Sequence, residues 1–368
     1  MKSPLAGVTI VETASDDCNI ALRLSAALAG RIAADLGAEV VKVEPPDGDP
    51  VRRMPPFLER ASVLFAFLNA GKRSVVLPHG NEREALHALL GRADAFIADA
   101  RAGEPLKDVV GSALPAGKQP RAAVLLSMLG RNAPSDVPAS EFTVLALGGV
   151  LNLVGEPDRQ PLRLGGHQVA YAAGLSAFTG LVGALCGTAA EVVHVSLLEN
   201  AVWLNWKNVA TAEGGGEVPS RAGRGSDWPI VRCADGWVAL VYRDENWPVM
   251  LELTGNDPRL ADPALGKLNA RHARAAEIAS IVEEHVSAVT RAQLRELSLK
   301  RKLPLGPVLT PEEALQDPHH LAREFFATVR LNARQTVTIP RLPVLWSGEA
   351  FIPGDVPALG SGVAGVAS

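Results

Sequence analysis

The chain has 368 residues, 47% of them hydrophobic and 21% charged, enough to bury a sizeable core in two domains or in one elaborated one. Its net charge of −4 and its scattered lysines and arginines give no clustered basic face, so nucleic acid is excluded as an expected partner. Three widely spaced cysteines, Cys18, Cys186 and Cys233, form no C-x-x-C pair, which argues against a metal site or a disulfide framework and points to a reducing cytoplasm.

Met1-Lys2-Ser3-Pro4 opens the chain without the apolar run of a signal peptide. Val8 to Val11 then reads as a strand, Leu24 to Leu36 as a helix ending at Gly37, and Val40 to Val43 as the next strand. Ser74 to Leu77 follows, then a helix over Glu82 to Leu90, then strands at Ala95 to Ala98 and Ala122 to Leu126. This alternation predicts an α/β fold whose parallel sheet carries helices on both faces, with ligands at the carboxyl ends of the strands. No G-x-G-x-x-G follows the first strand, which removes the phosphate-cradling turn of a dinucleotide site.

Val169 to Ala190 is uncharged and about as long as the ~20 residues that span a bilayer. Its Gly and Ala content and its lack of a basic flank predict instead a buried, closely packed helix, with no membrane contact. A loop-rich passage from Glu213 through Gly225 marks a linker or a mobile lid. Trp237 to Leu305 holds a strand at Val238 to Tyr242 and helices near Ala273 to Val289 and Arg291 to Leu299, the content of a smaller α+β domain. Lys300-Arg301-Lys302 reads as a solvated helix end, and Pro311-Glu312-Glu313 as a helix start. The tail from Gly360 to Ser368 has only small side chains and is expected to be disordered.

Several blocks recur in a recognisable order. The most specific is Ala33-Ala34-Asp35-Leu36-Gly37-Ala38-Glu39-Val40-Val41-Lys42-Val43-Glu44-Pro45-Pro46, with Gly48-Asp49-Pro50 and Arg52 behind it. Asn69 to Val75, Ala93-Asp94 leading to Arg101-Ala102-Gly103, Gly155-Glu156-Pro157-Asp158, Val195 to Glu199, Cys233 to Trp237, Leu305 to Val308, Asp317-Pro318 and Ala322 to Phe326 follow. Together they resemble the family III, or CaiB/BaiF, coenzyme A transferases over nearly the whole chain. The resemblance implies a Rossmann-like large domain built from both chain ends, with a smaller α+β domain inserted and two subunits interlocked as a dimer. It would assign residues 1–212 to the large domain, 213–232 to the linker or lid, 233–305 to the small domain, and 306–368 to the return and tail. It also implies coenzyme A or acyl-CoA as substrate, a carboxylic acid as its partner, and no metal. Leu77 would contact adenine, and Arg73, Asp99, Arg101 and Lys107 would line the phosphate and pantetheine path. Cations suit that path because phosphates need charge or free donors. Asp99 and Ala100 depart from the family's usual Asn-Phe.

Family transferases use an aspartate carboxylate to attack the thioester, and the acylated carboxylate stays activated for the return step. Register with the family puts Ala170 at that aspartate, and no acidic residue occurs from Leu164 to Ala190. The racemases of the family need a His and an Asp on opposite faces of the α-carbon; here Ser140 and Ala170 stand at those positions. Two nearby residues are candidates for the chemistry. His167 is a base or nucleophile in one reading and a structural histidine satisfied by backbone in the other. Glu141 is a displaced carboxylate in one reading and a surface or capping residue in the other. Three expectations follow: an acyl-CoA:carboxylate transferase, acting as a homodimer; a non-catalytic subunit paired with an aspartate-bearing paralogue; or a CoA-dependent racemase, lyase or hydratase.

Overall fold

A computed structural model describes residues 3–15, 18–101, 104–110, 119–130, 132–133, 137–216, 221, 226 and 228–362. Much of the expected linker, and the end of the tail, fall on 217–220, 222–225, 227 and 363–368, outside the described residues. Six parallel strands form the main sheet: β1 (Thr9–Glu12), β2 (Glu39–Glu44), β5 (Arg73–Val76), β6 (Ala95–Asp99), β7 (Ala122–Ser127) and β8 (Glu191–Ser196), with β3 (Phe57–Leu58) and β4 (Ala61–Ser62) as a short hairpin apart. Their spatial order is β5-β2-β1-β6-β7-β8. Counting only these six, that is the 3-2-1-4-5-6 order of a Rossmann-like sheet, with its switch point between β1 and β6.

The apolar runs of β6 and β7 are buried on both faces, as parallel strands covered by helices must be. Alternate residues serve opposite layers. Ile10, Ala95, Ile97, Val124 and Leu126 join the core containing α1 (Ile20–Asp35) and α6 (Gln168–Cys186), whereas Val11, Phe96, Ala98, Ala123 and Leu125 face α3 (Glu82–Leu90) and α4 (Leu106–Val109). Helix α1 begins at Ile20, four residues before the sequence-based start, because the Asn19 side chain accepts from Ala21 N–H and caps it.

Helix α6 is long and apolar enough to cross a membrane by length and composition. It lies instead along α1, where Gly174 sits so near Leu28 and the Ser25 carbonyl that a Cβ would meet each at 2.9 Å. Val169, Ala170, Ala173, Ala177, Leu181 and Ala184 form its buried stripe, and Leu175 and Cys186 lie on the open face. The small residues therefore serve close helix packing, on one face of the helix only.

Beneath the switch point lies a cluster of buried charge. Glu12 closes β1 and holds Lys42 of β2 at 2.8 Å and Lys72 at 2.6 Å. Lys42 also meets Asp49 at 2.9 Å, and Lys72 donates to the Ala27 carbonyl and to Asn69. Burial pushes the Glu12 carboxyl up, but the two ammonium groups outweigh it and hold it below its ordinary value. Burial, with repulsion from Lys42 and against the pull of Glu12, brings Lys72 down to about 8.

The chain divides into two compact units: residues 1–151, 163–216 and 319–368 form the first, and residues 152–162 and 217–318 the second. The second holds an antiparallel sheet, in the order β11-β10-β9, of β9 (Ile230–Cys233), β10 (Gly236–Leu240) and β11 (Leu305–Pro307). Against it pack α9 (Trp247–Leu253), α11 (Ala275–Val286) and α12 (Arg291–Arg301), with α10 (Leu268–His272) between α9 and α11 in sequence. Arg271 is buried there, donating to Asp244 and the Leu265 carbonyl at 2.8 Å each, with its guanidinium over the rings of Tyr242 and Trp247. In the first unit β12 (Phe326–Arg330) and β13 (Thr336–Pro340) pair as a hairpin, and the chain then runs beside β5, where Gly360 and Gly362 donate to Ser74.

Candidate active site

The carboxyl ends of β1, β6 and β7 open onto a crevice of about 660 Å³ in the first unit, bordered by the head of α1. Two of the sequence-predicted residues meet there, Asp99 and Arg101. Asp99 ends β6, and its carboxylate accepts from the Ser15 N–H at 2.7 Å and from the Ser15 hydroxyl, which ties the segment after β1 to β6. Cys18 also lines the crevice; burial and the neighbouring Asp99 push its thiol well above the ordinary value, so it stays protonated and unreactive.

The other predicted ligands lie elsewhere. Arg73 starts β5 in the row of Val41, Val11 and Phe96, so it stands three strands from β6 and three residues short of Asp99. With strands about 4.8 Å apart, the lateral separation alone is roughly 14 Å. Its guanidinium pairs with Glu39 and donates to the Gly362 carbonyl. Leu77 follows β5, half-buried, and Lys107 is exposed on α4; neither lines the crevice.

The far wall of the crevice reaches Ala139, whose carbonyl accepts from Asn19. Ser140 then caps α5 (Glu141–Leu147): its hydroxyl accepts from Thr143 N–H, and Thr143 Oγ1 accepts from Ser140 N–H. Ser140 is thus occupied as a cap, and Glu141 takes the first turn of the helix.

Glu141 is 7% exposed, and its carboxylate stands at the head of α6. Oε1 accepts from the Ala170 N–H at 3.3 Å, and Oε2 accepts from His167 Nδ1 at 2.7 Å. Arg163 Nη2 lies 3.6 Å from Oε2. His167 occupies the cap position of α6 but makes no side-chain cap bond, so a carboxylate from α5 satisfies a free N–H of that first turn. Glu141 is thus buried and bonded to the first turn of α6, a position compatible both with a displaced carboxylate and with a capping residue. Ala170 is fully buried.

Donation from Nδ1–H to Glu141 sets the His167 tautomer and leaves Nε2 for a ligand. The partner of His167 is therefore a carboxylate and not backbone. Tyr171, one turn further along α6, meets the His167 ring edge to face, with centroids 6.3 Å apart, and burial together with Glu141 raises its hydroxyl above the ordinary value. A carboxylate-oriented imidazole can hold or deliver a proton in an acyl-transfer step. Sequence reasoning missed Tyr171 and Arg163. The i, i+4 spacing from His167 was a signal for the first, whereas nothing in the sequence marked the second. Among the described residues, no group of three or more His, Cys, Asp or Glu side chains is arranged to hold a metal.

The strand order, the switch-point crevice and the Glu141–His167 pair together define a Rossmann-like fold with a candidate ligand site. The model of CoA-transferase family III matches residues 5–362, so the chain belongs to that family. Succinyl-CoA:mesaconate CoA-transferase of Haloarcula marismortui is 29% identical to it, covering 93% of this chain and 92% of that one. Subunit BbsE of the succinyl-CoA:(R)-benzylsuccinate CoA-transferase of Thauera aromatica is 27% identical, covering 80% and 78%. Among solved structures, a CaiB/BaiF family protein from Brucella suis superposes with a TM-score of 0.83 at 25% identity, covering 99% and 98% of the two chains.

Proposed function

We propose that this chain transfers coenzyme A between an acyl-CoA and a carboxylic acid, with the thioester in the switch-point crevice and His167 and Glu141 at its reacting end. The observation that carries this reading is the Glu141 carboxylate on the Ala170 N–H, bonded in turn to His167. In this reading Ala170 stands at the family's aspartate, as the sequence resemblance implies, and the carboxylate at the head of α6 comes instead from α5. His167 Nε2 is the exchangeable proton site, and Glu141 orients the ring and stabilises its cation. Asp99 and Arg101 are the predicted coenzyme contacts best supported by position. Arg73, at the opposite end of its strand and already paired with Glu39, is the least supported.

The test is turnover. Purified chain incubated with succinyl-CoA and a panel of carboxylates (mesaconate, glutarate and oxalate) should form a new CoA thioester, resolved by liquid chromatography with mass detection. No new thioester with any acceptor would remove the transferase reading. A racemase, lyase or hydratase acting on the same thioester would then be read from α-proton exchange in deuterated water, with His167 as the base.

Assembly is part of the proposal. Trp203 on α7 (Leu197–Leu204) and Trp206 on α8 (Trp206–Glu213) are 70% and 64% exposed beside Leu204 and Val209, far more apolar surface than one pair of short helices leaves open without a partner. We assign this face to a second subunit, either a copy of the chain or an aspartate-bearing paralogue, and the Thauera relative, itself a subunit, supports the second form. Sedimentation of the purified chain should give a dimer. A monomer that dimerises only with an added paralogue would instead favour the non-catalytic subunit, in a cytoplasmic heteromer.

A further inference from the structure

The family frame leaves open what attacks the thioester when no aspartate is in place. Ala170 offers a methyl group, and no carboxylate occurs from Leu164 to Ala190. Glu141 is a poor substitute: both its oxygens accept hydrogen bonds, one from Ala170 N–H and one from His167, and it is buried. A carboxylate held this way serves as a fixed acceptor, since an attacking oxygen must shed those donors and reach outward.

Arg163 is placed differently. Its side chain is 44% exposed, and its nearest carboxylate oxygen, on Glu141, is at 3.6 Å, beyond hydrogen-bond length. Among the described residues it makes no hydrogen bond. The planar fork of five N–H donors is therefore open to a carboxylate arriving from solvent, at the Glu141 oxygen that also holds His167 Nδ1. Glu141 keeps the guanidinium near His167 without neutralising it through a bidentate pair.

We propose that Arg163 binds the carboxylate of the acceptor acid, and that this acid attacks the thioester directly, with no acylated enzyme. The proposal rests on the transferase reading above. One acceptor oxygen forms a bond to the thioester carbonyl carbon, and the C–S bond breaks with its electron pair leaving on sulfur. The products are a mixed anhydride and the coenzyme A thiolate, retained in the crevice. The thiolate then attacks the acceptor carbonyl of the anhydride, and the C–O bond breaks toward the donor side. This releases the donor acid as its carboxylate and leaves the acceptor as the new thioester. No oxidant and no net proton are required.

The path of oxygen decides the matter. Excess purified chain is given succinyl-CoA and, in parallel, mesaconate, glutarate or oxalate labelled with ¹⁸O in the carboxylates, and the first turnover is analysed by mass spectrometry. Direct attack puts one ¹⁸O into the released succinate while the protein mass stays unchanged. Unlabelled succinate, with ¹⁸O or an acyl or CoA adduct on the protein, overturns the proposal and leaves the transferase reading intact. No thioester exchange with any acceptor overturns both. In steady state, Arg163→Gln should raise KM for the acceptor at least about tenfold, with KM for succinyl-CoA little changed, and Arg163→Lys should recover part of the loss. Equal shifts in both KM values, or none, overturn the assignment of Arg163.

Discussion

Replacing Glu12 with Gln should cost the first unit about 3–5 kcal/mol of stability, read as a lower urea midpoint with an unchanged slope. The reason lies in the ratio of charges around it. Both ammonium groups are buried; Lys42 shares a second carboxylate, Asp49, but among the described residues Lys72 has Glu12 as its one ion-pair partner. A neutral amide leaves Lys42 paired with Asp49 and leaves Lys72 as an ion without a counter-charge away from water. The same cluster fixes the acid limit of the fold. Lys42 holds Asp49 below its ordinary value against the opposing effect of burial, as the two lysines do for Glu12. A carboxyl with a lowered folded pKa adds stability that is present at neutral pH, above its unfolded value of about 4, and lost as pH falls toward its folded value. Wild-type stability should therefore drop steeply below about pH 4, and the Glu12→Gln variant should show a shallower drop. An undiminished urea midpoint in that variant would mean the cluster is not the strut it looks to be.

Replacing His167 with Ala should lower kcat for thioester exchange by about 10²–10⁴, the usual scale of a positioned acid–base group, with a smaller drop in the urea midpoint because the buried Glu141 carboxylate loses one of its two donors. Glu141→Gln should also lower kcat. Glutamine has a single acceptor oxygen, so it cannot serve both the Ala170 N–H and His167 Nδ1–H, and the imidazole loses either its orientation or its tautomer. Full activity in the His167→Ala variant would remove the imidazole from the chemistry and shift attention to Tyr171, its ring neighbour.

Much of the frame was legible because its signals are local. The β-branched runs at Thr9–Glu12, Glu39–Glu44 and Arg73–Val76 announce strands, and the intervening helical periods require a parallel sheet. The ordered blocks from Ala33 to Phe326 carried the family. Two things were hidden. Nothing local marks Glu12, Lys42 and Lys72 as buried, since only tertiary pairing makes their burial tolerable, and 30 and 60 residues separate the lysines from their carboxylate. At the candidate site, Glu141 and His167 are 26 residues apart and drew attention separately, but nothing in the sequence put the carboxylate of one helix on the open end of another. Arg73 is a case of another kind. A motif carries a residue type forward, and its neighbour Glu39 and the later Gly362 decide what the guanidinium touches.

The distribution of indole rings determines how all of this can be observed. Of the chain's six tryptophans, Trp203, Trp206, Trp228, Trp237 and Trp346 are at least 40% exposed, and Trp247, at 5%, is the buried one. Trp247 sits in the second unit against Arg271. In the isolated chain the blue-shifted part of the intrinsic emission therefore reports melting of that unit, whereas in the dimer proposed above the covered Trp203 and Trp206 add a signal for the first unit that is lost on dissociation. Circular dichroism in the far ultraviolet is the readout that sees both.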